Sequence, residues 1–108
     1  MLEWTDENFE IEVLKSDIPV LVEFKTEWCP TCKKFAYVIE SLEEPYKGKV
    51  KIGVLDASKN QKYAIANDVL SVPTIIIFKN GQIVKRISGM QSKEDIIKQI
   101  DEIIITQS

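Results

Sequence analysis

Three observations predict an α/β chain built on a mixed central sheet. Apolar runs of strand length alternate with segments of helical periodicity. The runs at residues 20–24 and 50–55 are nearly continuous, as in strands buried on both faces. Near the end, Asn80-Gly81 separates two further strand-like runs, a strong signal for a two-residue hairpin.

The elements follow in order. Leu2 to Trp4 reads as a short edge strand. Thr5 is placed to cap a helix over residues 6–16, with acidic residues in its first turn and Phe9, Val13 and Leu14 as its apolar stripe. Pro19 opens a strand running to Lys25. The next helix is expected from Thr31 or Cys32, with Phe35, Ile39 and Leu42 at helical spacing. It should stop by Glu44, because Pro45 disfavours helix in the residue before it. Residues 50–55 form a buried strand and residues 60–67 a short helix. Residues 74–79 and 82–87 are the two arms of the hairpin. Ser92 caps a last helix whose buried face carries Ile96, Ile97, Ile100 and Ile104, with the tail Ile103-Ile104-Ile105 packed. The order is β-α-β-α-β-α-β-β-α, which implies parallel pairs joined by right-handed crossovers and an antiparallel edge. Helices should flank the sheet on both faces.

With 108 residues and no internal repeat or linker, the chain is expected to form one domain over residues 1–108. Apolar residues make up 44% and charged residues 29%, which places it among ordinary globular proteins. A net charge of −3 without a basic stripe argues against nucleic-acid binding. No apolar run approaches a membrane span, so no membrane association is expected. The first residues have neither a basic nor an apolar leader region, so a cytoplasmic address is expected.

The most informative stretch is Trp28-Cys29-Pro30-Thr31-Cys32, which holds both cysteines of the chain. It lies between the end of a strand and the start of a helix. A strand end puts the pair at a rim, and a helix start supplies N–H groups and a positive dipole end that favour a thiolate. Two thiols at this spacing can close and reopen a small disulfide ring, so the site reads as a dithiol/disulfide redox centre. A zinc site is the rival. Structural zinc usually takes four Cys or His ligands, and here there is no His and no third Cys. Cys29, just before the helix, is expected to be the more exposed thiol and the nucleophile. Cys32, in the first turn, would then attack Cys29 and release the product. Glu23 sits within the apolar strand, on one face with Leu21 and Lys25. Buried there, its carboxyl would hold a proton near neutral pH and could exchange one with Cys32. Otherwise it reaches solvent at the strand end, beside Lys25.

At this point the chain resembles the thioredoxin family over essentially its whole length. Glu27-Trp28-Cys29-Pro30-Thr31-Cys32-Lys33 is similar to the family's active-site motif, and Ser71-Val72-Pro73-Thr74 to its second signature. Phe78-Lys79-Asn80-Gly81 and Gly89 also fall where the family has them. The resemblance implies the thioredoxin fold and a protein disulfide reductase with a redox-active Cys29-Cys32 disulfide and no bound cofactor. It implies a cis peptide before Pro73 and pairing of the Val72 backbone with the substrate chain. Trp28, Pro30, Thr31 and Thr74 would border that substrate. Electrons would come from a separate disulfide reductase, in a monomer serving electron transport and cell redox homeostasis.

Several positions depart from the family pattern; at Lys25, where an aromatic or small residue is common, the lysine either does the work of a family lysine missing from the next strand or snorkels outward. Pro30-Thr31 replaces the usual Gly-Pro, and Glu23 the usual Asp. Val54 stands where a lysine is common, and Tyr37 replaces a helix-kinking proline. Proline after the first cysteine also occurs in glutaredoxins and some thiol oxidases. A glutaredoxin-like, oxidase-type or isomerase-type exchanger is therefore the alternative. A binding module without turnover is a third reading, against which both cysteines argue.

Overall fold

The computed structural model describes residues 1–105, and the last three residues of the expected domain, 106–108, lie outside it. Five strands form one sheet: β1 (Leu2–Trp4), β2 (Val20–Lys25), β3 (Lys51–Asp56), β4 (Thr74–Lys79) and β5 (Gln82–Ser88). Their order across the sheet is β1-β3-β2-β4-β5. β1 and β2 run parallel to β3, and β4 runs antiparallel to β2 and β5. The helices are α1 (Pro30–Glu40), α2 (Gln61–Ala66) and α3 (Lys93–Ile105). This is the mixed α/β architecture the sequence predicts.

The alternation of side chains along the strands sorts the core into two layers. On one face Leu21, Ile52, Ile75 and Ile77 pack under Phe35 and Ile39 of α1 and Ile96 and Ile100 of α3. On the other, Val20, Val22, Phe24, Ile76 and Phe78 pack against Phe9, Val13 and Ala64. Ile103 and Ile104 pack against the first cluster, whereas Ile105 is exposed.

Local chemistry accounts for the boundaries. Asn80 and Gly81, at φ +53° and +79°, make the tight turn of the β4–β5 hairpin. The Ser92 hydroxyl accepts the Asp95 N–H at 3.1 Å and caps α3. Gly53 lets β1 approach β3, because a Cβ there would collide with the Leu2 carbonyl oxygen and the Trp4 ring.

Two helices differ from expectation. The segment expected as a helix over residues 6–16 is capped as anticipated, with Thr5 and Asn8 exchanging backbone-to-side-chain bonds. Its regular part, however, is a five-residue π-helix, Glu10–Leu14. The bond from Lys15 N–H skips to the Glu10 carbonyl, which widens the turn while Phe9 and Val13 stay buried. α1 begins at Pro30, earlier than expected, because proline suits the first helical position. It ends at Glu40, within the expected limit of Glu44. Leu42 and Glu43 bond three residues back, to Ile39 and Glu40, so the chain tightens into turns well before Pro45.

Candidate redox site

Strand register gathers the site. Phe24 of β2 faces Thr74 of β4, which in turn faces Ser88 of β5. The segment after β2, the loop before β4 and the corner after β5 therefore meet at one end of the sheet. Those segments carry Cys29, Pro73 and Gly89. The Gly89 N–H donates to the Pro73 carbonyl at 2.8 Å and ties two of them together.

Cys29 and Cys32 form a disulfide, with Cα atoms 5.2 Å apart. Cys29 is the N-cap of α1 in extended conformation, and its Sγ accepts the Cys32 N–H at 3.1 Å. The Thr31 hydroxyl lies 3.3 Å from the same sulfur. Both groups are positioned to stabilise negative charge on Cys29 once the pair is reduced, as is the start of α1. Cys29 is 7% exposed and Cys32 1%. The expected order holds, though the fold covers even the outer sulfur closely.

Glu23 is 0% exposed, and neither carboxylate oxygen has a hydrogen-bond partner. Its cross-strand neighbours are Val54 and Ile75. Alternation places it on the face that α1 covers, with Leu21. Burial pushes its carboxyl up to about 7, against a smaller downward pull from the Lys25 charge. Of the two sequence readings, the buried carboxyl is the one observed.

A cavity of about 510 Å³ opens beside the disulfide, lined by Lys25, Trp28, Cys32, Lys33, Ala36 and Val54. Trp28 is 84% exposed, and Pro30 and Thr31 are exposed on α1 next to it. The Val72–Pro73 peptide is cis. Val72 lies just ahead of β4, outside the paired register. Thr74 is different: it pairs on both sides, is buried, and its hydroxyl donates to the Ser71 carbonyl at 2.7 Å. Its side chain closes the loop from within.

Sequence reasoning missed the place of Lys25 on the cavity wall and the hydroxyl of Thr31 on the Cys29 sulfur. It also missed Leu70, 94% exposed in the loop before Pro73, and Met90, exposed beside Gly89. Strand alternation puts Lys25 on one face with Glu23 but not on a cavity wall, and nothing in the sequence distinguishes an exposed Leu70 from a packed one. Among the described residues, no group of three or more His, Cys, Asp and Glu side chains is placed to hold a metal ion, and no helix is long and apolar enough to cross a membrane.

The comparisons with known proteins agree with this geometry. The Thioredoxin family model matches residues 1–102. A thioredoxin of Rickettsia felis is 38% identical over 100 residues, covering 93% of this chain and 95% of its own. A thioredoxin of Chlorobaculum thiosulfatiphilum is 41% identical over 100 residues, covering 93% of both chains. The bifunctional thioredoxin reductase/thioredoxin of Mycobacterium leprae is 36% identical over 103 residues, 95% of this chain and 22% of that longer protein. The chain belongs to the thioredoxin family. It is a thiol–disulfide oxidoreductase, and Cys29-Cys32 is its redox-active pair.

Proposed function

We propose that the reduced chain breaks protein disulfides in two steps with fixed roles for its two thiols. The Cys29 thiolate attacks one sulfur of the substrate. A Cys29–substrate disulfide forms, the substrate S–S bond breaks, and the leaving thiolate takes a proton from solvent. Glu23, as carboxylate, then accepts the Cys32 proton. Cys32 attacks the Cys29 sulfur, the internal disulfide forms, and the second substrate thiolate leaves. Two electrons pass from the dithiol to the substrate. The observation that carries the assignment is the convergence of donors on one sulfur: the Cys32 N–H and the Thr31 hydroxyl both address Cys29.

The substrate segment lies across Trp28, Pro30 and Thr31. It adds to the Val72 backbone as an extra strand ahead of Pro73. Thr74 supports that loop through its bond to Ser71. A separate disulfide reductase returns the electrons. The Mycobacterium leprae relative, whose name joins a reductase to a thioredoxin, supports such a partner. The protein works as a cytoplasmic monomer without a bound cofactor.

The test is trapping. With a disulfide-bonded protein as substrate, Cys32→Ser should accumulate a mixed disulfide on Cys29, and Cys29→Ser should accumulate almost none. Trapping on Cys32 would overturn the assignment.

A further inference from the structure

Glu23 is flanked across the sheet by Val54 and Ile75, neither of which can answer a charge. The nearest basic position along its own strand is Lys25. Two residues of strand separate their Cα atoms by about 7 Å, and both side chains leave the sheet on the α1 face. Lys25 is half-buried. It lines the cavity that Cys32 lines, and also a second recess of about 290 Å³ lined by Asp56 and Lys59. Its side chain therefore borders both.

The surrounding charges leave this ammonium in a distinct position. Asp56, the register partner of Lys25 on β3, is bonded by the Ser58 N–H and hydroxyl. Its carboxyl stays below the usual range: burial pushes it up, but the Ser58 bonds, Lys25 and Lys59 together outweigh that. Lys59 pairs with Glu27 at 3.2 Å, so those two charges largely cancel. Glu3 of β1 lines both cavities and is exposed, as is Lys33 of α1 on the Cys32 cavity. Solvent screens charges in such places. On the Glu23 face, Lys79 at the hairpin end of β4 is also half-buried, but Lys25, two residues along the same strand, is the nearer basic group.

We infer that Lys25 is a positioning residue for the proton step: its charge, on a side chain that borders both the Cys32 cavity and the Asp56 recess, supports the ionised Glu23 carboxylate and so lets it accept the Cys32 proton at neutral pH. The inference rests on the proposed role of Glu23. Its chemistry is Coulombic. A cation beside a desolvated carboxyl favours the charged form, and here the Lys25 charge opposes the rise that burial imposes on Glu23. Without Lys25 a larger share of Glu23 would be protonated near pH 7, and a protonated acid cannot take a proton from Cys32.

Three variants test it: Lys25→Met, Lys25→Arg, and Lys25→Met combined with Glu23→Gln. Carbon NMR of the Glu23 carboxyl reads its titration directly. The pH profile of the resolving step, release of a preformed Cys29 mixed disulfide, reads the reaction. Lys25→Met should move the Glu23 midpoint upward by about half a pH unit or more, a threefold change in proton affinity. The resolving step should move by a similar amount. Lys25→Arg should restore both, and in the Glu23→Gln background Lys25→Met should leave the profile where it was. An unmoved carboxyl midpoint overturns the inference and leaves the Glu23 role intact. A profile that moves in the Glu23→Gln background overturns it too, since Lys25 would then act on Cys32 directly. A midpoint that moves while the resolving step keeps its profile overturns the relay role of Glu23 itself.

Discussion

Replacing Glu23 by glutamine should make the oxidised protein more stable at pH 8 and barely change it at pH 4. The carboxyl is buried without a hydrogen-bond partner, and its affinity for a proton rises from an ordinary 4.5 to about 7 on folding. Below pH 4.5 the group is protonated in both folded and unfolded chains, so its ionisation costs nothing. Between pH 4.5 and 7 the folded chain binds a proton that the unfolded chain has lost, and stability falls as pH rises. Above pH 7 the full penalty applies. At about 1.4 kcal/mol for each pH unit of displacement, it amounts to about 3 kcal/mol. Glutamine is neutral, close in size, and forfeits no existing bond, so its advantage should grow from near zero to that value across this window. Urea unfolding of the oxidised forms measures it, and keeping the disulfide closed removes thiol titration from the comparison. With a slope near 1.5 kcal/mol per molar urea, the midpoints should separate by about 2 M at pH 8. A difference between the two proteins that is equal at pH 4 and pH 8 would refute the reasoning. Glu23→Leu should stabilise at every pH, by a further ~1–3 kcal/mol, because no polar atom is left buried. Both variants should slow disulfide reduction.

Other outcomes follow from single contacts. In the reduced protein, an alkylating agent at neutral pH should label Cys29 ahead of Cys32, as peptide mass mapping would show; preferential label on Cys32 contradicts the site description. Thr31→Val removes the hydroxyl 3.3 Å from the Cys29 sulfur. This should raise the Cys29 pKa and make the couple more reducing by about 10–30 mV, the equivalent of one hydrogen bond, in equilibrium with glutathione. Changing Pro30-Thr31 to Gly-Pro should shift the potential the same way by tens of millivolts with the fold intact, followed by the fluorescence of Trp28; equal potentials would show that the dipeptide does not tune the pair. Gly53→Ala should destabilise by about 1–3 kcal/mol or more, because its Cβ meets the backbone of β1, and a thermal midpoint unchanged from wild type would contradict that close approach.

The sheet was legible because its signals are local and redundant. β4 falls where expected, β2 and β5 differ by one residue at one end, and β3 is shifted by one residue. Continuous apolar runs mark buried strands whatever packs on them, and Asn80-Gly81 fixes the hairpin. The helices were less legible where tertiary packing sets the winding. The Glu10–Leu14 segment carries an ordinary amphipathic pattern, yet its bond from Lys15 to Glu10 widens it into a π-turn. The pattern does not distinguish 3.6 from slightly more residues per turn over so short a span. At the site, the sulfur positions follow from two cysteines at a strand–helix junction. The burial of Glu23 follows from its apolar flanks. What could not be read was distance: the approach of the Thr31 hydroxyl to Cys29, the inward turn of the Thr74 hydroxyl, and the cavity shared by Lys25 and Cys32. Those depend on how three chain segments meet at one end of the sheet, and no single segment encodes that meeting.

The two sulfurs differ in what surrounds them, and the difference orders the reaction. Cys29 has an N–H, a hydroxyl and the start of α1 directed at it, so its thiolate can form without a base beside it. Cys32 contributes one of those donors from its own backbone, and its sulfur is the more deeply buried. Desolvation disfavours its thiolate, so its attack calls for a group that takes the proton without leaving the interior. Glu23 has the attributes of such a group: no structural partner, a location on the face that α1 covers, and a proton affinity near neutrality. A carboxyl that costs about 3 kcal/mol of stability at pH 8 is a substantial fraction of the 5–15 kcal/mol typical of a domain. An apolar residue would pack in its place at no such cost. Retaining the acid there is understandable if the second thiol needs it, and Lys25 then limits how far burial can drive it out of the ionised state that accepts the proton.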